Sequence, residues 1–117
     1  MKTLESLEEL ALDALKDTVA SCDREDDMFD LISEIADGCV PVYCSDLYAI
    51  FADSPDAINA ALEEYISETG GEDLGGRVKN YGLSSLIAIG IYWHLRQYLQ
   101  EQAGKIWEEK ENEEEDE

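Results

Sequence analysis

The chain has 117 residues, enough for one domain with a real core but short for two. Its 29 Asp and Glu against eight Lys and Arg leave a formal net charge of −21, although 44% hydrophobic residues is ordinary for a globular protein. Such a charge excludes binding to nucleic acid or to an anionic membrane by repulsion, and it points to basic partners.

The first predicted element is a helix over residues 3–21, with Leu4, Leu7, Ala11, Ala14, Leu15 and Val19 at helical spacing. Ser6 and Glu9 stand at capping-box spacing, and Thr3 is an alternative N-cap. Asp23 or Asp26 is placed to cap a second helix whose inner face is Met28, Leu31, Ile32 and Ile35, with Gly38 placed to end it. Pro41 breaks the chain, and a third helix follows with Leu47, Ile50 and Phe51 inward.

Ser54-Pro55 is a start signal, Ser at the N-cap and Pro at the first helical position. The helix it opens reaches about residue 67, buries Ile58, Ala61, Leu62, Tyr65 and Ile66, and is stopped by Gly70-Gly71. Gly75-Gly76 mark a loop. A long last helix begins near Leu83 and passes Trp107. No alternating pattern competes, so the chain reads as all-α: a compact acidic domain of about five helices over residues 1–107, with a long C-terminal helix. Residues 108–117 form an acidic tail, either a helix extension or disordered.

No signal peptide is visible, and no apolar run approaches the roughly 18 residues that span a bilayer. Cys22, Cys39 and Cys44 are odd in number and lack CxxC spacing, which argues against a disulfide framework or a zinc site and fits a reducing cytoplasm.

The charge is unevenly spread. Residues 1–73 hold 20 acids and three bases, whereas residues 74–107 hold Arg77, Lys79, Arg96 and Lys105 against Glu101 alone. That near-neutral stretch is also the most apolar: Leu86, Ile87, Ile89, Ile91, Tyr92, Trp93 and Leu95 cover more than one helix face. Such a helix is either the central core helix or part of a subunit interface, with Ile89, Tyr92 and Trp93 the candidate dimer contacts.

The acids fall in rows. Glu5, Glu9, Asp13 and Asp17 follow at four-residue steps, each about 6 Å further along the axis. Asp26, Asp30 and Glu34 form a second row, flanked by Asp23, Asp27 and Asp37. Each like-charged i, i+4 pair costs a few tenths of a kcal/mol, and Lys16 and Arg24 relieve little of it. An acidic helix face is ordinarily a solvated one. Here, bases are missing from the partner positions that salt-bridge lacing requires. Duplex DNA carries one charge per roughly 1.7 Å of axis, so the charge on this chain equals that of roughly 36 Å of duplex, about one turn. Carboxylates in that pattern can occupy a DNA-binding groove and compete for its phosphate contacts.

Other chemistry finds little footing. Asp23, Glu25, Asp27 and Glu34 fit a calcium-loop register, but Met28 stands where the sharp turn needs Gly and Leu31 fills a ligand position. His94 is the single histidine and sits on an apolar helix, where a structural role is commoner than general-base work. The GGEDLGG segment lacks the Lys and spacing of a phosphate-binding loop. Neither an enzyme nor a cofactor is expected.

One stretch carries a family likeness. In IADGCVPVYCSDLYAIFAD, residues 35–53, Ala36-Asp37, Val40-Pro41, Tyr43, Asp46, Leu47 and Ile50 follow an order that resembles the central part of the Ocr-like antirestriction proteins of T7-like bacteriophages. The acidic helical N-terminal region leading into DDMFD, Ile91-Tyr92 in the last helix and the terminal Glu/Asp run agree with it, together covering half to two-thirds of the chain. The resemblance implies an α-helical homodimer that mimics bent B-form DNA in the groove of host type I restriction–modification enzymes, and that obstructs other DNA-based phage defences. It carries over Asp26, Asp27, Asp30, Asp37 and Asp46 as phosphate mimics. The N-terminal row rests on spacing more than on the match. Residues 54–76 and the more apolar last helix, with Arg96 and Lys105, depart from the family pattern.

Two other functions compete: mimicry aimed at a repair, nucleoid or CRISPR protein, and a helical adaptor that docks through its apolar last helix with its acids serving solubility.

Overall fold

The computed structural model describes residues 3–22, 24–70 and 82–115, without the side chains of residues 25 and 112–115. The fold is all-α, with five helices and no strand among the described residues: α1 Leu4–Ser21, α2 Glu25–Cys39, α3 Cys44–Asp53, α4 Pro55–Thr69 and α5 Leu83–Glu115. Asp23, the Gly75-Gly76 loop with Arg77 and Lys79, and the end of the acidic tail lie outside the described residues.

Helix α1 starts where Thr3 accepts a hydrogen bond from the Ser6 amide and Ser6 Oγ accepts one from the Thr3 amide, 3.1 and 2.9 Å. Ser6 is thus the third helical residue of a capping box, not its N-cap, because the reciprocal pair leaves Thr3 in the extended conformation a cap requires. Asp26 lies inside α2, whose N-cap is Arg24 without a side-chain bond. Gly38 also lies inside α2. That helix ends at Cys39 because Val40, preceding Pro41, is held extended at φ −70°, ψ 126°.

Helices α2 and α3 therefore meet at 104°. Ser54 and Pro55 open α4 as expected, and Gly70 closes it in the left-handed region at φ 74°. Ile66, expected inside, is 42% exposed, since Ile58, Ala61 and Tyr65 already define the inner face.

Helix α5 is the central core helix. Its 33 residues give a rod of about 50 Å, which sets the long axis of a molecule measuring 54 × 32 × 21 Å. All four other helices pack on it. Ile87, Ile91, Leu95, Leu99, Ala103 and Trp107 recur every four residues and bury one row in a core shared with α1, α2, α3 and Ile58 of α4. Ile89 and Trp93 form a second buried row with Ala61 and Tyr65 of α4. These two rows explain why the helix is apolar around most of its girth.

The tail joins α5 as a helix extension through Glu115. Lys110 helps to anchor it, donating to the carbonyl oxygens of Cys22 and Val19 at 2.8 and 3.1 Å while lying 4.9 Å from the Trp107 ring centroid. Its ammonium thus serves the C-terminus of α1, a helix whose own last turn holds no base.

Candidate functional site

The acidic surface is built by the same periodicity that builds the core. Leu4, Leu7, Ala11, Leu15 and Val19 of α1 are buried, so Glu5, Glu9, Asp13 and Asp17 are turned to the opposite face, and all four are exposed. On α2, Met28, Ile32 and Ala36 are buried, which turns Asp26, Asp27, Asp30, Glu34 and Asp37 outward. Helices α1 and α2 pack against each other, so the two carboxylate rows belong to neighbouring rods.

Counter-charge is scarce. Among the described residues the exposed Lys105 pairs with Glu101 at 3.8 Å, and His94 Nε2 meets Glu8 Oε1 at 2.7 Å in a hydrogen bond that is an ion pair only with the imidazole protonated. Glu8 sits on the edge of the buried face of α1 and ties it to α5, outside the exposed row. His94 is accordingly held by a carboxylate in a shallow polar depression with Gln97, Tyr98 and Gln100. Burial raises the Tyr98 phenol above its ordinary value of 10.0, with the charges of Glu8 and Glu9 adding to the rise. No group of three or more His, Cys, Asp and Glu side chains suited to a metal ion occurs among the described residues.

Asp46 stands apart from the rows: it lies in the first turn of α3 and is half-buried, where a carboxylate favours the positive end of the helix dipole. The rows of α1 and α2 are also not the whole acidic surface. Asp53, Asp56, Glu63, Glu64 and Glu68 are exposed on and beside α4. Asp56, Glu64 and Glu68 share one four-residue row interrupted by Ala60, a signal legible in the sequence but absent from the expected site.

The expected dimer contacts are placed differently. Ile89 and Trp93 are 3% and 6% exposed, buried within the chain against α4, with the Trp93 ring edge-on to Tyr65 at 5.4 Å. Both pack within the chain against Ala61 and Tyr65 of α4 and keep only a sliver of accessible surface. Tyr92 is half-buried. The exposed apolar side chains lie elsewhere: Val42, Tyr43 and Tyr48 around the α2–α3 connection, together with Leu10, Phe29, Ile66 and Leu83.

Helices α2 and α4 both pack on α5 but make no extensive contact with each other, and a cleft of about 370 Å³ opens between them. Ser33, Asp37 and Val40 form its α2 wall and Tyr65 and Thr69 its α4 wall. Ala88, Ile89, Tyr92 and Trp93 of α5 form the floor. Arg96 lies beyond these walls, its guanidinium 4.8 Å from the Trp93 ring centroid. The Nε1 of Trp93 and the Nε of Arg96 are buried without hydrogen-bond partners among the described residues.

No family model matches the chain, and comparison with curated proteins and with solved structures finds no similar one.

Proposed function

We propose that this protein is a non-enzymatic DNA mimic that works in the cytoplasm of a phage-infected bacterium. In this reading it occupies the DNA-binding groove of a host defence enzyme, a type I restriction–modification enzyme first. The observation that carries the reading is the pair of exposed carboxylate rows on α1 and α2, left without ion pairs among the described residues. An array that costs the fold self-repulsion is accounted for if a basic groove supplies the missing counter-charge. The order of Ala36-Asp37, Val40-Pro41, Tyr43 and Asp46, which resembles the Ocr-like proteins, supports the same target.

The mechanism follows from electrostatics. Long-range attraction steers the acidic protein to the groove, and carboxylates then accept hydrogen bonds from Lys and Arg side chains that otherwise hold phosphates. No cofactor enters. A homodimer, which the resemblance implies, would double the charged length and would use exposed apolar residues such as Val42 and Tyr43, because Ile89 and Trp93 pack within the chain against α4.

An adaptor docking through the last helix is less well supported, since the apolar rows of α5 are consumed by its own core. The test is calorimetric titration of a type I methyltransferase at low and moderate salt. Wild type is compared with a variant carrying Glu5→Gln, Glu9→Gln, Asp13→Asn and Asp17→Asn. Mimicry requires weaker binding and a shallower salt dependence for the variant; unchanged binding by the variant contradicts it.

A further inference from the structure

We propose that the cleft between α2 and α4 is a receptor for one arginine or lysine side chain of the basic partner, with Asp37 meeting the charge and the aromatic lining holding the stem. This rests on the reading of the partner as basic, and it names the point at which that partner is gripped rather than merely attracted.

Three observations meet at this place. The cleft is lined by Tyr65 on its α4 wall and by Tyr92 and Trp93 on its floor, aromatic surface of the kind that takes both the methylene stem and the cationic head of a long basic side chain. Arg96, 4.8 Å from the Trp93 centroid, already makes such a contact from outside the cleft walls. The charged group on the wall is a carboxylate, Asp37, exposed and without an ion pair among the described residues.

Asp37 also connects the cleft to the acidic surface. Asp30, Ser33 and Asp37 follow at three- and four-residue steps on one stripe of α2, so the wall of the cleft continues into the α2 carboxylate row. A groove lying along that row would deliver a basic side chain to the cleft mouth. An anion is excluded by Asp37 and by the net charge of −21, and a neutral apolar group would gain nothing from the carboxylate.

The probe is arginine capped at both ends as N-acetyl and methylamide, with equally capped citrulline as its uncharged isostere. The two indole N–H signals of Trp93 and Trp107 are followed by NMR, with Trp107→Phe used to assign them. The expected result is a saturable shift at Trp93 with Kd on the order of 1–10 mM, as befits so small a ligand. Capped citrulline should leave Trp93 unmoved, and Trp107 should be unaffected throughout.

Asp37→Asn should weaken the response at least threefold, and Ala88→Leu, which fills the floor without altering charge, should abolish it. Both variants are checked for a wild-type helical spectrum. An equal response to citrulline, an undiminished response in Asp37→Asn, or no saturable shift overturns the cleft as a receptor. Failure of the protein to compete with DNA, alongside a normal Trp93 response, would instead remove the mimic reading and leave the cleft standing.

Discussion

A Cβ placed on Gly90 would lie 2.7 Å from Ile58 Cγ2 and 3.1 Å from the Ile58 carbonyl oxygen, so α4 crosses α5 at a separation that the missing side chain permits. Leu62 Cγ would be 3.2 Å away on the same side. Ile58 is fully buried and branched at Cβ, which leaves it little room to yield. Gly90→Ala would gain about 1 kcal/mol of helix propensity, but the overpacking outweighs it, giving a net loss of about 1–2 kcal/mol. Thermal unfolding checks this. Gly104→Ala is the control, because nothing lies within 4 Å of its added methyl, and it should stabilise.

Charge neutralisation should move stability and binding in opposite directions. Glu5, Glu9, Asp13 and Asp17 repel one another at successive i, i+4 steps, and each pair relieved returns a few tenths of a kcal/mol. The quadruple Gln/Asn variant should therefore melt above wild type at low salt and approach it as salt screens the repulsion. A merely structural role for the row would show the reverse, a lower melting temperature.

The three thiols should react in a fixed order. Cys44 is exposed, Cys39 half-buried and Cys22 buried. Burial raises the Cys39 thiol above its ordinary value of 9.0, which keeps it protonated where an exposed cysteine forms thiolate. Alkylation followed by mass spectrometry should label Cys44 first, Cys39 more slowly, and Cys22 at the rate of unfolding. The sign for stability follows. The Cys39 contribution is present below pH 9.0 and is lost as pH rises through the raised folded value.

The helices were legible in the sequence because their apolar spacing and breakers agree. Leu4 to Val19, Pro41, Pro55 and Gly70 each act locally, and each is found in its expected role, while Ser54 stands at the N-cap position with its hydroxyl turned to Asp53. Gly38 misled because a glycine ends a helix only where the chain turns left-handed, and here Pro41 does the stopping through Val40. The outward direction of the α1 and α2 acids was equally legible, being the complement of the core stripe.

Tertiary partners were not legible. Ile89 and Trp93 look alike whether covered by α4 or by a second subunit, since periodicity records that a face is buried and not by what. The pairing of Glu8 with His94 and of Lys110 with Cys22 joins residues more than 80 positions apart. No local pattern marks such contacts. The cleft at Asp37 was invisible for the same reason: it exists because α2 and α4 share α5 without extensive contact with each other.

The central claim is competition with DNA. A type I methyltransferase bound to labelled cognate duplex is titrated with this protein at low and moderate salt, alongside a DNA-binding protein of unrelated fold. The account predicts release of the duplex from the methyltransferase at near-stoichiometric protein, with the unrelated protein far less affected. Retention of the duplex at large excess, even at low salt where carboxylate contacts are strongest, would contradict it.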